Sequence, residues 1–162
     1  MFRKLRTSLM QSAMHMQSAV RGAIGFEGAG VSEETAARRQ RPRTLRQRLQ
    51  HFMRVRFWRM DIAADAWIAP TASLDRNWPR GIHVGENCVI DEWAIVLSHD
   101  YTRGLYRDTV IGPRSVIGTR AIVMPGVRIG ADCRVEPGTV VSRDLVDGEH
   151  VAGHPARKVG SS

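Results

Sequence analysis

The chain has 162 residues, 43% of them hydrophobic, with 24 Lys and Arg against 16 Asp and Glu and a formal net charge of +8. That length suits one core-bearing domain with a short extension. Two cysteines exclude a disulfide framework, no apolar run approaches the roughly 20 residues that span a bilayer, and Gln11, Ser12, His15, Gln17 and Ser18 interrupt any signal-peptide core; a cytoplasmic setting is expected.

Charge is uneven along the chain. Residues 1–60 hold 13 Lys and Arg against Glu27, Glu33 and Glu34, a local balance of +10, and the remainder is near neutral at −2. Residues 1–43 show no sustained pattern and read as a basic, flexible tail. Gly25-Phe26-Glu27-Gly28-Ala29-Gly30 follows no strand, so it is not a phosphate-binding loop. With no aromatic platform or zinc module beside it, the basic tail predicts no nucleic-acid partner. Contact with anionic lipid at the inner face of a membrane fits it better.

A helix is predicted over residues 44–60. Thr44 with Gln47 three residues on has capping-box spacing, and Leu45, Leu49, Phe52, Met53, Phe57 and Met60 fall on one helical face. The expectation is an amphipathic cap whose apolar stripe covers the N-terminal end of the following domain.

From residue 61 the texture changes to a six-residue beat. Aliphatic residues recur at Ile62, Ile68 and Leu74, at Val84, Ile90 and Val96, and at Ile111, Ile117, Val123, Ile129, Val135 and Val141. A period of six is neither helical nor alternating and signals a β-helix. Each hexapeptide supplies a short strand and a bend, and three make one triangular coil. The aliphatic residue points inward, the following Gly is expected to take the backbone angles of the bend, and the fourth following position needs a small residue. Cys88 and Cys133 hold that last slot and are expected to pack as small hydrophobes. Twelve repeats make about four stacked coils, a mainly β domain over residues 61–162.

Two stretches break the beat. One contains Asp75-Arg76-Asn77-Trp78-Pro79, the other Ser98-His99-Asp100-Tyr101-Thr102-Arg103-Gly104. Insertions in a solenoid map to loops, often on the binding face. His15, His51, His83 and His150 lie outside these loops, where packing or surface roles are the default.

With these motifs in view, residues 45–159 resemble the hexapeptide-repeat acyltransferases. They are most similar to the branch of maltose, galactoside and Nod-factor acetyltransferases and colanic-acid-type polysaccharide O-acetyltransferases. Ser98-His99-Asp100-Tyr101, Pro125-Gly126-Val127-Arg128-Ile129-Gly130, Ser142-Arg143-Asp144 and Ala152-Gly153-His154-Pro155-Ala156-Arg157 carry the likeness. The resemblance implies left-handed coils, a homotrimer and acetyl transfer from acetyl-CoA to a hydroxyl, with no metal. It implies that His99 is the catalytic base, and that Thr119, Pro137, Ser142, Arg143, Arg157 and Lys158 meet the cofactor. An Arg stands where the family usually has Lys in the Ser142-Arg143 pair, and His154 replaces a frequent Asn. The implied acceptor is a sugar or a surface-polysaccharide or glycolipid precursor. Serine or an antibiotic is the alternative, and a non-catalytic β-helix scaffold a further one. Asp75, Trp78, Asp100 and Tyr101 are candidates for the acceptor loop, with Asp100 a candidate to orient the imidazole. A three-histidine zinc site, the rival chemistry on such a fold, needs two closely spaced ligands, and the next histidine after His99 is His150.

Overall fold

The computed structural model describes residues 42–159. Of the predicted basic tail, all but Pro42 and Arg43 lies outside the described residues.

The coils begin at β1 (Asp61–Ile62), β2 (Trp67–Ile68) and β3 (Ser73–Leu74). A second turn has β4 (Ile82–Val84), β5 (Val89–Ile90) and β6 (Ile95–Val96). A hairpin of β7 (His99–Asp100) and β8 (Leu105–Tyr106) then leaves the stack. The third turn is β9 (Thr109–Ile111), β10 (Val116–Ile117) and β11 (Ile122–Val123), the fourth β12 (Arg128–Ile129), β13 (Arg134–Val135) and β14 (Val140–Val141). A partial fifth turn adds a bridge at Leu145 to Ile129 and β15 (His150–Ala152), which β16 (Arg157–Lys158) folds back upon in antiparallel pairing.

Three sheets result. Sheet one is β1-β4-β9-β12, sheet two is β2-β5-β10-β13-β15-β16, and sheet three is β3-β6-β11-β14. Apart from the last pair of sheet two, every pairing in them is parallel, as a coil returning to the same face requires. The fold is a left-handed parallel β-helix.

All twelve aliphatic residues of the beat are buried, and they form one continuous core. The small fourth positions follow suit: Ala66, Ala72, Cys88, Ala94, Ser115, Ala121, Cys133 and Thr139 are buried beside them. The two thiols donate to Gly112 O and Val146 O, each at 3.0 Å, and burial pushes the Cys133 thiol up. These side chains fill a corner too narrow for a larger group.

The glycine of the beat plays a different part from the one predicted. The left-handed backbone sits two residues later, at Asn87, Trp93, Arg114, Arg120 and Asp132, with φ between 54° and 60°, and at Gly126 and Gly138. Gly85, Gly112, Gly118 and Gly130 are needed for space instead. A Cβ at Gly112 would lie 2.5 Å from the backbone of Gly130, and one at Gly118 would lie 2.7 Å from that of Pro137. The hydrogen on these glycines lets consecutive coils stack at sheet spacing.

The helix α1 (Leu45–Phe52) starts at Thr44 with the predicted capping box in place, and a wider π turn (Met53–Phe57) follows it. Its orientation reverses the expectation. Leu45, Leu49, Phe52 and Phe57 are exposed, while Gln47 and Arg54 are buried. The inward face carries hydrogen-bond donors because the first coil presents backbone carbonyls with no coil beyond them. Gln47 Nε2 donates to Ile68 O at 3.5 Å, Gln50 Nε2 to Pro70 O at 3.3 Å and Arg54 Nη2 to Ala72 O at 3.2 Å, and Arg43 donates to Ala66 O. Burial lowers the Arg54 guanidinium to about 10, which leaves it charged at neutral pH. Of the predicted stripe only Met60 is buried.

Candidate active site

The first insertion follows Leu74 and the second follows Val96, and these two core residues are register partners on sheet three. One coil therefore places the first insertion directly against the second. Asn77 and His99 stand one coil repeat of 22 residues apart, the same offset as Leu74 and Val96.

Asp75 is the hub. Its side chain is 1% exposed, and its Oδ2 accepts from the Ser98 and His99 backbone N–H, each at 2.9 Å, with Ser98 Oγ 3.2 Å away. The same oxygen pairs with His99 Nδ1. Its other oxygen accepts from Asn77 N at 2.8 Å, an Asx turn that shapes the loop. Burial alone would raise the carboxyl. The hydrogen bonds from the His99 ring and from the Ser98, Asn77 and His99 backbone outweigh it and bring the group down to about 2. Asp75 is thus an ionised carboxylate against the His99 ring throughout the neutral range.

The ring is fixed on its other sides too. Asn77 Nδ2 lies 3.1 Å from His99 Nε2. Tyr101 meets the ring edge-on with centroids 4.5 Å apart, and Tyr106 stacks at 6.4 Å and 29°. Trp78 packs against Tyr106 at 5.5 Å. Gly81 makes room for the indole, since a Cβ there would fall 2.4 Å from Trp78 Cδ1. Ser98 Oγ donates to Trp78 O at 2.6 Å and joins the two loops. An anionic acceptor at Nδ1 keeps the ring proton there, so Nε2 carries the lone pair and accepts from Asn77 Nδ2 until a hydroxyl takes that place. Such a nitrogen can take a proton from a hydroxyl brought to it.

Two sequence expectations change here. Asp100, the candidate orienter, caps its own hairpin instead: Oδ1 accepts from Thr102 N at 2.9 Å and Arg103 N at 3.2 Å. Asp75, a candidate acceptor contact, is buried beneath the imidazole and takes the orienting position. Asn77, Ser98 and Tyr106 join the candidate site as well. Counting coils would have found Asn77, because 22 residues separate equivalent positions of the first and second turns. His83 and His150, by contrast, lie on strands and face Asp61 at 3.1 Å and Glu136 at 2.6 Å.

The residues expected at the cofactor lie elsewhere on the prism. Thr119 and Pro137 follow β10 and β13 of sheet two on stacked coils, with Gly138 N donating to Thr119 O at 2.9 Å. Thr119 Oγ1 donates to Asp91 Oδ2 at 2.9 Å. Ser142 and Arg143 follow β14 on sheet three, the same corner as His99 but two turns further on. Arg143 is bound to Glu149 at 2.5 Å and to Asp144 O at 2.9 Å. That guanidinium holds the Glu149 carboxyl below its usual range. Arg157 and Lys158 are exposed on β16 and offer cations to phosphate. The hydroxyl, proline ring and cations suit an extended phosphorylated thiol ester in kind, and Arg143 would have to share its carboxylate partner. Among the described residues, none of them is a hydrogen-bond or ring partner of His99.

The match to the family model for bacterial transferase hexapeptide (six repeats) covers residues 108–143. The Bacillus subtilis protein YvoF, which carries an acetyltransferase name, is 35% identical over 103 residues, 62% of this chain and 60% of YvoF. The chain spans 60% or less of the curated relatives it matches. Among solved structures, the hexapeptide-repeat acetyltransferase VCA0836 of Vibrio cholerae superposes with a TM-score of 0.57 at 17% identity, over 81% of this chain and 88% of that one. AntD, an N-acyltransferase from Bacillus cereus solved with dTDP-4-amino-4,6-dideoxyglucose and coenzyme A, gives 0.51 at 20% identity, over 59% and 60%. Period, core, sheet pairing and these likenesses agree: the chain has the hexapeptide-repeat fold and carries the bacterial transferase hexapeptide signature over residues 108–143.

Proposed function

We propose that the chain is an O-acetyltransferase that moves an acetyl group from acetyl-CoA to a hydroxyl of a sugar or of a surface-polysaccharide or glycolipid precursor. The observation that carries the reading is the buried Asp75 carboxylate on His99 Nδ1, which leaves Nε2 as a base at the mouth of the two insertions. His99 Nε2 takes the hydroxyl proton as that oxygen bonds the thioester carbonyl carbon, and returns it to the departing sulfur. The buried state of both thiols favours direct transfer over a covalent enzyme intermediate. Trp78, Tyr101 and Tyr106 give the mouth an aromatic wall of the kind that stacks on a sugar ring. Thr119, Pro137 and Ser142 would contact the cofactor, with Arg143, Arg157 and Lys158 near its phosphates.

The separation of these groups from His99 on one prism supports a homotrimer in which a neighbouring prism completes each site. The acetyl group is favoured by the name of YvoF, and a hydroxyl acceptor by the base geometry. A serine acceptor is the second reading, favoured by 28% identity over 106 residues to serine acetyltransferase 4 of Arabidopsis thaliana.

The test is thiol release from acetyl-CoA across a panel of nucleotide sugars, free glycosides, lipid-linked glycans and serine. A glycan-dependent signal is expected. His99→Ala should lower its rate by about 10²–10⁴ with coenzyme A affinity unchanged; wild-type turnover in that variant rejects the assignment.

A further inference from the structure

The outward face of α1 and its π turn is apolar at its centre and cationic at its edges. The inner rotation is fixed by the hydrogen bonds of Gln47, Gln50 and Arg54 to the first coil. At about 100° per residue, that setting turns Leu45, Leu49 and Phe52 directly away from the prism, with Arg46 on one flank and Arg48 on the other. Leu45 is 84% exposed, Leu49 62%, Phe52 59% and Phe57 70%. Arg46, Arg48, Arg56 and Arg59 are exposed as well. Between Glu34 and Asp61 the chain holds nine arginines and no acidic residue.

Such a surface has a narrow range of complements. A second copy of the same face would set Arg46 and Arg48 of both copies together with no carboxylate on either helix. A protein partner would need an apolar surface ringed by acids. An anionic bilayer supplies both properties in one plane, with acyl chains below the headgroups and phosphates beside them. Polar residues hold the helix on the prism, and among the described residues its large apolar side chains stay exposed.

We infer that the outer face of α1 and the following π turn is a membrane-binding surface: Leu45, Leu49, Phe52 and Phe57 enter the headgroup–acyl boundary of an anionic bilayer while Arg46, Arg48 and Arg56 meet its phosphates. This places the contact in the described helix rather than in the basic tail alone. It is independent of the proposed chemistry, because the site groups are on the insertions.

Vesicle sedimentation of the full-length chain tests it, using phosphatidylcholine with and without phosphatidylglycerol. The expected result is binding that requires phosphatidylglycerol, falls as salt rises, and weakens about tenfold or more in the double variant Leu49→Ser/Phe52→Ser. Both positions are exposed, so the variant should melt like the wild type. Should it melt lower, Leu45→Ser serves the same comparison. Arg46→Gln/Arg48→Gln should lose the preference for the anionic lipid. Absence of sedimentation, or unchanged sedimentation of the apolar variants, overturns the inference. So does a loss of oligomeric mass in light scattering on apolar substitution, which makes the face a contact between copies.

Discussion

Asp75 holds the His99 ring through Nδ1 while its own side chain stays buried. Replacing it with Asn keeps the shape and removes the anion that favours the ring proton on Nδ1 and would stabilise the ring as it takes up a second proton. Asp75→Asn should lower the turnover of the proposed reaction by about 10²–10⁴, with a changed pH profile and little change in acceptor KM. A stability effect accompanies it. The carboxyl titrates at about 2 in the folded chain against its ordinary 3.8. A depressed value means that the folded state holds the ionised form more tightly. The stabilisation is therefore complete above about pH 4 and disappears as pH falls through about 2, amounting to roughly 2 kcal/mol. Denaturant titrations between pH 6 and pH 2 should show this loss in the wild type and a flatter profile in Asp75→Asn. The glycines give a second residue-scale comparison. Gly118→Ala places a Cβ 2.7 Å from the backbone of the next coil and should cost about 1–3 kcal/mol by overpacking. Gly138→Ala meets nothing within 4 Å, but must hold φ +69°, a strain of about 1–2 kcal/mol. Melting of the two variants tells crowding from backbone strain, since only Gly118→Ala should also loosen hydrogen exchange in the adjoining coil.

Among the elements, the strands were legible in the sequence and the helix only in part. The strands were legible because a buried aliphatic residue every six positions is a demand of the coil itself, so Ile62 through Val141 could be read as core. The loop that carries His99 was legible because it interrupts that demand, and the base role proposed for His99 is what the family resemblance implies. The partner of His99 was harder to read: Asp75 is distant in sequence and adjacent only after 22 residues are wound into one turn. For the helix, the capping box at Thr44 and the apolar stripe were both visible. Which side faces the prism was not, because that depends on the carbonyls of Ala66, Ile68, Pro70 and Ala72, and open backbone groups leave no mark in a hydrophobic pattern. The arrangement predicts that a polar residue, not an apolar one, anchors the helix. Arg54→Met keeps the length of the side chain and strips Ala72 O of its donor, and should cost about 1.5–3 kcal/mol. A lowered melting temperature with the coil core intact is the expected result, read by differential scanning calorimetry and strand-specific hydrogen exchange.

On the scale of the molecule, the groups assigned to catalysis and those assigned to cofactor binding leave the prism from different sheets or from turns well apart. Under the proposed function, a neighbouring prism supplies the cofactor groups to each His99. Light scattering should find a trimer at working concentrations, and activity per chain should fall on dilution into monomers; a monomer with full turnover excludes the shared site. The parallel pairing has a last consequence. Each coil offers the next the same edge that it meets in the one before, so the outer edge of the first turn matches the outer edge of the last. A stack with both edges bare would be its own template, adding units head to tail into a filament whose length follows concentration. The donors of α1 at one end and the antiparallel return of β16 at the other are what give this molecule a fixed length.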